Sequence, residues 1–411
     1  MLKRRSVLQG LGGAAALGAS GLMARLAQAA EGAPLVPGLP PGEYDTAVLD
    51  ALPGKKPLIK LSYRPPNYET PVSYFASEFT PNDAFFVRYH LADIPTDVDA
   101  KNWKIKIGGE AAENPIEVSL ADLQSGYEQV EIAAVCQCSG NRRGLSDPHV
   151  PGVQWGLGAM GNAQWKGVRL KDVLAKVKLK PEAIELVLNG ADGPVIEKTP
   201  DFVKSLPVWK ALDENTLIVW SMNGQSLPRL NGAPVRLIVP GWTATYWTKH
   251  LASIEAVTKP FEGFWMKSAY RIPTGKFPVI DRFLTQELPG STPITEIVVN
   301  SIITAPASGS RQPKGKPIEI KGIAWDAGYG IARVEISADN GKSWQDATLG
   351  KDLGRFSFRQ WSHRFAPPKA GTYTILARAS NRIGQTQAES LIFNPAGYHN
   401  NVPRPLTLTV A

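Results

Sequence analysis

A strict alternation of apolar and polar residues in the last third of the chain limits the fold more than any other feature. It runs through four stretches: 317–326, 332–347, 355–365 and 371–384. Residues two apart on a strand point to the same face, so each stretch predicts a strand with one buried face. The Asn340-Gly341 dipeptide in the second stretch is a hairpin turn signal. These strands, with almost no helical pattern among them, predict an immunoglobulin-like β-sandwich over residues 293–411.

Residues 81–260 have a mixed pattern of short strands and short helices. Six segments predict strands: 84–90, 103–109, 130–138, 184–190, 216–224 and 234–242. Three segments predict helices: 120–126, 170–179 and 202–206. A chain of 411 residues is too long for one typical core. We therefore expect an α+β fold in which this mixed domain is followed by the sandwich.

Two segments flank the mixed domain, and the first of them is rich in proline. Residues 30–80 predict an extended arm that wraps around the surface, and residues 261–292 predict a connector between the two domains.

The first 29 residues have the pattern of an export signal. Arg4 and Arg5 precede an apolar stretch, and an Ala-x-Ala pattern ending at Ala29 fits a cleavage site. The paired arginines indicate twin-arginine export of a folded protein to the periplasm, with a plain export signal as the alternative. Export in the folded state favours a cofactor that is inserted beforehand. No other apolar run reaches about 18 residues, so we expect no membrane span in the mature chain.

The charge of the chain is mildly basic. The full sequence has a net charge of +8, and removal of residues 1–29, with four basic residues and no acidic one, leaves +4. No basic stripe with interleaved aromatic residues accompanies this charge, so we expect no nucleic-acid partner. The charge suits an anionic substrate or an acidic partner protein.

The chain has two cysteines, Cys136 and Cys138, within the sequence AVCQCSGNRRG. Their spacing is too short for an ordinary disulfide, and no zinc-ligand pattern surrounds them. No Cys-x-x-Cys-His occurs, so we expect no haem on this chain. Arg142 and Arg143 favour the thiolate form, which binds metals and acts as a nucleophile. We interpret Cys138 as a metal ligand and Cys136 as a packed core residue.

Five blocks of sequence, each present once, follow one another along the chain. They are FVRYH at 86–90, CSGNRR at 138–143, and the segments 155–168, 222–249 and 323–344. Together they resemble the sulfite oxidase family, in which the cysteine of Cys-x-Gly-Asn-Arg-Arg ligates molybdenum. The resemblance covers nearly all of residues 81–411. With an export signal and no haem motif, it points to the bacterial periplasmic sulfite dehydrogenases within that family.

The resemblance implies a molybdenum cofactor held by a pterin dithiolene, with Cys138 as the thiolate ligand of the protein. It also implies cofactor contacts from Phe86, Val87, Arg88, Tyr89, His90, Asp192, Asn231, Arg236, Trp247, Thr248 and Lys249. Arg236 and Lys249 are the implied charge partners of the cofactor phosphate. Asn231 stands where animal relatives tend to have histidine, which implies a weaker, uncharged contact.

For the substrate, the resemblance implies an anion pocket whose catalytic candidates are Arg88, His90, Arg143 and Tyr270. Arginine stays protonated and suits the sulfite anion, and a phenol binds substrate or relays a proton. Tyr246 is the rival tyrosine. Family members often carry an arginine in the last loop, where this chain has Asn400. This departure leaves open whether sulfite is the substrate.

The implied activity is that of a sulfite dehydrogenase: sulfite is oxidised to sulfate, and electrons leave singly to a separate c-type cytochrome. The sandwich domain implies a homodimer. Two alternatives remain open. The same cofactor could act on another sulfur compound, a sulfane sulfur or a sulfoxide, or the chain could be a non-catalytic β-sandwich binding protein without the metal.

Overall fold

The computed structural model describes residues 48–274 and 290–411. The predicted signal peptide (1–29), the first part of the predicted arm (30–47) and residues 275–289 of the predicted connector lie outside the described residues. In the two described ranges, no helix combines the length and the apolar character needed to cross a membrane.

Residues 48–80 are packed into the fold, where the sequence predicts an extended arm. Their strands form a four-stranded antiparallel sheet with the strand that follows: β1 (Val48–Asp50), β2 (Leu58–Ser62), β3 (Asn67–Glu69) and β4 (Val87–Arg88). A 3-10 helix spans Val72–Ala76. Leu58, Tyr68 and Phe75 are fully buried, and each such side chain stabilises the packing by about 2 kcal/mol. The apolar residues between the prolines therefore fix this segment to the domain.

Gly158 determines how closely this segment approaches the domain. The Thr70 N–H donates to the Gly158 carbonyl oxygen (3.0 Å), and the Gly158 N–H donates to Glu69 Oε1 (2.7 Å). A Cβ at position 158 would lie 1.8 Å from the Thr70 carbonyl oxygen. We expect Gly158→Ala to lower the free energy of unfolding by about 3 kcal/mol, because the two backbones must separate.

Urea unfolding of both variants checks this prediction. Gly126→Ala is the control, since a Cβ there meets nothing nearer than Lys176 Nζ at 3.7 Å. Equal unfolding midpoints for the two variants would contradict the expected backbone clash.

The mixed domain contains two sheets around one core. Its strands are β5 (Lys104–Gly108), β6 (Ile116–Ser119), β7 (Gln129–Gln137), β8 (Met160–Arg169), β9 (Glu185–Gly190), β10 (Lys204–Pro207), β11 (Leu217–Met222), β12 (Gln225–Ser226), β13 (Arg236–Ile238) and β14 (Leu251–Val257). One sheet has the order β10-β9-β14-β5-β6, and β14 runs parallel to β5. The other has the order β12-β11-β8-β7, with β13 also paired to β11. Trp165, Leu188 and Leu237 are buried between them.

Four short α-helices are described: α1 (Leu120–Gly126), α2 (Leu170–Val177), α3 (Val208–Ala211) and α4 (Phe264–Lys267). The first begins at a capping box in which Ser119 and Asp122 satisfy each other's backbone N–H groups. The helix predicted at 202–206 is wrong, because Lys204–Pro207 pairs with β9 as β10. Pro207 disfavours the helical conformation of the residue before it, which favours this extended pairing.

The second domain is the predicted immunoglobulin-like sandwich. A short ribbon of β15 (Arg271–Pro273) and β16 (Ser291–Pro293) precedes it. Its strands are β17 (Asn300–Ala305), β18 (Arg311–Gln312), β19 (Ile318–Trp325), β20 (Ile331–Ser337), β21 (Gln345–Asp346), β22 (Thr348–Leu349), β23 (Arg359–Phe365), β24 (Gly371–Asn381) and β25 (Leu406–Val410). The sheets have the orders β17-β19-β23-β22 and β18-β25-β24-β20-β21. Asn340 and Gly341 both have positive φ between β20 and β21, as the hairpin prediction requires.

Polar contacts join the two domains directly behind the cysteine motif. Trp325 Nε1 donates to Gln137 Oε1 (2.6 Å). Arg142 is fully buried, donates to Asn300 Oδ1 (2.5 Å) and also donates to the carbonyl oxygen of Val402. The turn that follows Cys138 is therefore held by the sandwich domain.

Candidate active site

The end of β7 presents both thiols to one cavity. Cys136 and Cys138 are two residues apart in extended chain, so their side chains share a face. Gln137 between them points to the other side, where it meets Trp325. The Cys138 N–H donates to the Ala159 carbonyl oxygen (2.9 Å), which fixes the turn. Both thiols line the cavity, and Cys136 also belongs to the buried hydrophobic core, in agreement with its interpretation as a packed core residue.

The cavity has a volume of about 660 Å³, including the space at its mouth. It brings together eleven of the predicted site residues: Phe86, Arg88, His90, Cys138, Asp192, Asn231, Arg236, Trp247, Thr248, Lys249 and Tyr270. These residues lie up to 184 positions apart in the sequence, since the first is Phe86 and the last Tyr270. Three other predicted residues, Val87, Tyr89 and Arg143, do not line it.

The alternation of side chains around β4 explains two of these exceptions. Phe86, Arg88 and His90 face the cavity. Val87 and Tyr89 face the opposite side, in a cluster with Leu58 and Tyr68 of the N-terminal sheet. Tyr89 still supports the site, because Lys249 Nζ lies 4.0 Å from the centre of its ring.

Arg143 is separated from the cavity by two aromatic rings, those of Tyr398 and Tyr270. Its Nε donates to the Ala396 carbonyl oxygen (2.6 Å), and its guanidinium lies 5.3 Å from the centre of the Tyr398 ring. Tyr398 in turn stacks on Tyr270, with ring centres 5.8 Å apart. A Cβ at Gly140 would lie 2.9 Å from this guanidinium, so the glycine of the motif gives Arg143 its space.

The last loop makes a different contact from the one the sequence suggests. Asn400 is buried and donates from Nδ2 to the Arg142 carbonyl oxygen (3.2 Å). It does not line the cavity, so it does not occupy the place of a substrate-binding arginine. Tyr398 is the residue of this loop that reaches the wall of the site.

One end of the cavity is lined by aromatic rings around His90 and Tyr270. His90 Nε2 and the Tyr270 hydroxyl are in hydrogen-bond contact, and His90 stacks on Phe202 with ring centres 3.7 Å apart. Tyr270 has a φ of 57°, which is rare for a tyrosine and frequent at functional sites. Burial, and then the neighbouring Arg88, hold the pKa of His90 well below its usual value. Burial also raises the pKa of Tyr270, so at pH 7 the imidazole is neutral and the phenol keeps its proton.

The other end holds cations and hydrogen-bond donors that lack partners. Arg236 donates to the carbonyl oxygens of Asn231 and Trp247, both at 2.9 Å. Among the described residues, its Nε and the Thr245 hydroxyl are buried without a hydrogen-bond partner. Burial lowers the pKa of Lys249 to about 8. Thr245 lines the cavity and was missed in the sequence, since no motif singles it out.

Asn231 is held by a lysine that the sequence did not reveal. Lys55 Nζ donates to Asn231 Oδ1 (2.6 Å), and Asn231 Nδ2 donates to the Phe86 carbonyl oxygen (3.1 Å). Both polar groups of this amide are therefore used within the protein. Burial lowers the pKa of Lys55 to about 7. A lysine in the predicted surface arm gave no signal of this role.

Burial also changes the pKa values of an acidic group and a thiol in the cavity. Burial raises the pKa of Asp192, and the charge of Lys249 opposes this shift. Burial raises the pKa of Cys136 to about 11, and Arg236 opposes this shift. Cys136 is therefore a neutral thiol at pH 7.

The arrangement fits an anionic cofactor that contains a soft metal. The Cys138 sulfur is a soft ligand, and Arg236 and Lys249 suit a phosphate. Buried donors normally have partners, and the unpaired groups on Arg236 and Thr245 face the space that such a cofactor would fill.

Comparison with known families assigns both domains. The model of the oxidoreductase molybdopterin binding domain matches residues 91–265. The model of the Mo-co oxidoreductase dimerisation domain matches residues 291–403.

Several curated proteins are similar over most of the chain. Mitochondrial sulfite oxidase of Macaca fascicularis is 33% identical over 78% of this chain and 59% of its own length. Sulfite oxidase of Gallus gallus is 31% identical over 80% of this chain and 72% of its own length. Sulfite oxidase of Arabidopsis thaliana is 30% identical over 77% and 80%. The chain thus spans about three fifths of the mitochondrial relatives from Macaca fascicularis and Homo sapiens.

One solved structure has the same fold across both domains. The sulfane dehydrogenase SoxCD from Paracoccus pantotrophus superposes with a TM-score of 0.72 and covers 90% of each chain. Its sequence identity is 24%, so the likeness concerns the fold.

Proposed function

The chain belongs to the sulfite oxidase family, and from this membership we propose that it oxidises sulfite to sulfate at a molybdenum cofactor and passes the electrons singly to a c-type cytochrome. The observation that carries the proposal is the Cys138 thiol, which lies in one buried cavity with Arg88, Arg236 and Lys249. A thiolate suits a soft metal, and the cations suit both an anionic cofactor and an anionic substrate.

Two groups of residues would hold the cofactor. Cys138 would ligate the metal, and Arg236 and Lys249 would bind the phosphate. The hydroxyl of Thr245 would donate a hydrogen bond to the cofactor, and the carboxylate of Asp192 would accept hydrogen bonds from its N–H groups. When bound, the cofactor supplies the oxygen-atom transfer and the two-electron redox change.

The aromatic end of the cavity would bind and orient the substrate. Arg88 is held by Asn67, whose Oδ1 accepts from Arg88 Nη1 at 3.0 Å, so its charge is fixed in place. The Tyr270 hydroxyl keeps its proton at pH 7 and can donate it in a hydrogen bond to an oxygen of sulfite. His90 is neutral and fixes the position of that hydroxyl.

The overall reaction balances with water as the oxygen source. Sulfite and water give sulfate, two protons and two electrons. Each electron reduces one ferric cytochrome, so two cytochrome molecules are consumed in each turnover. The export pattern of residues 1–29 supports a periplasmic site for this reaction, and the match to a dimerisation domain supports a homodimer.

The test combines metal analysis with two acceptors. We expect about one molybdenum atom for each purified chain, as one ligating cysteine lies in the cavity, and sulfite-dependent reduction of both ferricyanide and a c-type cytochrome. A metal-free chain would support the non-catalytic alternative. A fully metallated chain that does not oxidise sulfite would overturn the proposed substrate. Reduction of ferricyanide alone would overturn the cytochrome acceptor.

A second substrate is favoured by the last loop. This loop brings Tyr398 to the wall of the site and leaves Asn400 outside it, so it adds no cation for sulfite. A sulfane sulfur bound to a carrier thiol has no oxyanion group that such a cation would bind. Steady-state assays that compare sulfite with a protein-bound or small-molecule sulfane, and with a sulfoxide, separate these candidates.

A further inference from the structure

Lys204 is a buried cation directly behind the aromatic end of the cavity. Its side chain is 1% exposed. Its Nζ lies 5.2 Å from the centre of the Tyr270 ring and 4.7 Å from that of the Tyr246 ring. It stands at the start of β10, where pairing with Leu188 on β9 fixes its backbone. The ammonium is therefore rigidly placed one tyrosine ring away from the substrate end.

This ammonium has little local compensation for its burial. In residues 48–274 and 290–411, no carboxylate oxygen lies within 4.0 Å of Lys204 Nζ. Its hydrogen bond is to the carbonyl oxygen of Trp265 at 2.6 Å. Removing a charge from water is costly, and the two tyrosine ring faces recover only part of that cost. A buried charge in this position needs an anion nearby or a functional reason.

The positive potential of Lys204 reaches the cavity. Its charge contributes to the lowered pKa of His90, after burial and the charges of Arg88 and Lys249. Tyr270, whose ring separates Lys204 from the cavity, has the left-handed backbone conformation that aims its phenol inward. A substrate anion on the far side of this ring would feel the charge through low-dielectric protein, where Coulomb interactions are weakly screened.

We propose that Lys204 is a specificity-determining residue that attracts a divalent oxyanion to the substrate end of the cavity and holds the Tyr270 ring in position. The proposal rests on the proposed function for the class of substrate, a small sulfur oxyanion. It explains how the cavity binds such an anion although the last loop supplies no arginine. Lys204 acts through the tyrosine ring and makes no contact with the reacting atoms.

A purely structural role predicts a different outcome. The hydrogen bond from Lys204 to Trp265 would then serve only to clamp α4 against β10. In that case a neutral residue would lower stability and leave anion affinity unchanged. The two roles are therefore separated by measuring sulfate binding together with the thermal midpoint.

The experiment compares the purified, metallated protein with Lys204→Met, Lys204→Arg and Lys210→Met. Sulfate is the probe, because it binds without turnover and its charge is constant above pH 4. We expect Lys204→Met to raise the Kd for sulfate about tenfold, since it removes one charge behind a single ring. Lys204→Arg keeps the charge, so we expect its Kd to stay within about threefold of the native value.

Lys210→Met is the matched control. Lys210 is also buried and lies 5.6 Å from the centre of an aromatic ring, that of Trp242, but it is paired with Asp213 at 2.8 Å. We expect this variant to lose stability and to keep the native affinity for sulfate. An unchanged sulfate Kd in folded, metallated Lys204→Met would overturn the proposal, as would an equal loss in Lys210→Met.

The pH dependence of sulfate binding is a second readout, which a purely structural role of Lys204 would not change. Burial, and then the charge of Arg271, lower the pKa of Lys204 to about 7, against the opposing charge of Glu185. The other titratable groups near it are the hydroxyls of Tyr246 and Tyr270 and the neutral His90. Sulfate affinity should therefore fall as pH rises from 6 to 8 in the native protein, because the ammonium loses its proton. Lys249 has a pKa of about 8 and titrates in both proteins, so we expect Lys204→Met to keep a smaller fall than the native protein. A fall of native size would overturn the proposal.

The assays keep this inference separate from the proposed function. If native protein binds sulfate with the expected Lys204 dependence and does not oxidise sulfite, the proposed reaction fails and the anion site stands. If sulfite oxidation occurs and Lys204→Met keeps the native KM for sulfite, the role of Lys204 fails and the reaction stands.

Discussion

Replacing Cys138 by serine is expected to lower the turnover of sulfite by about a thousandfold, which corresponds to about 4 kcal/mol in the activation barrier. The cause is the loss of the soft ligand from the cavity wall. Serine is similar in size to cysteine, and the turn is held by backbone hydrogen bonds to Ala159 and Gly156. The variant should therefore fold normally. Turnover, molybdenum content and the thermal midpoint are measured on the same preparation.

Cys136→Ser is the matched control, because it makes the same chemical change two residues away in the same cavity. The Cys136 thiol is neutral at pH 7, since burial raises its pKa to about 11. We expect this variant to keep its metal and to lose less than about tenfold in turnover, below the roughly 10- to 100-fold loss that is typical of residues that orient a metal ligand. If the effects of the two variants were exchanged, Cys136 would be the ligand.

Replacing Arg236 by methionine is expected to remove most of the cofactor from the purified protein. Its guanidinium is anchored by the carbonyl oxygens of Asn231 and Trp247, and its Nε is left without a partner among the described residues. Truncating one partner of a buried charge pair costs about 2–5 kcal/mol, which includes the penalty of leaving the other charge unpaired. Pterin and molybdenum content per chain should therefore fall at least about tenfold, since each 1.4 kcal/mol is a factor of ten in affinity.

Arg229→Met is the control for this prediction. Arg229 lies seven residues earlier, outside the cavity, and donates to the carbonyl oxygen of Pro95. The Arg229→Met substitution removes the same charge from the same segment, and we expect the variant to have a normal cofactor content. A fully loaded Arg236→Met protein would mean that the phosphate lies elsewhere in the cavity.

The sequence predicts the strands of the sandwich well because their pattern is local. Alternate residues are buried over the first four positions of β19 and from Ile375 onward in β24, and the Asn340-Gly341 turn has the backbone that its dipeptide favours. The predicted helix at 202–206 failed for a non-local reason, the pairing of Lys204–Pro207 with β9. The partner residues lie 16 to 22 positions earlier in the sequence, and such a pairing cannot be inferred from local propensity.

The site residues also divide into those that a local motif predicts and those that only tertiary packing brings to the site. The motifs FVRYH and CSGNRR place Arg88, His90 and Cys138 in the cavity. Read as continuous strings, they also implied cavity contacts for Val87 and Tyr89, which the alternation of β4 turns away. Lys55, Lys204 and Tyr398 were missed, because each reaches the site only through tertiary packing. No spacing rule within the sequence connects them to the motifs.

The residues that form and support the cavity wall are far apart in the sequence, and this affects the order of folding. Lys55 supports one end, Tyr398 the other, and the turn after Cys138 is tied to Asn300 and Val402. No short segment therefore forms the binding site alone, and contacts between distant residues form slowly. Cofactor capture must follow nearly complete folding of both domains, and a bound cofactor then stabilises the whole chain by mass action. Proteases should therefore cleave chains that lack the cofactor more readily than chains that hold it.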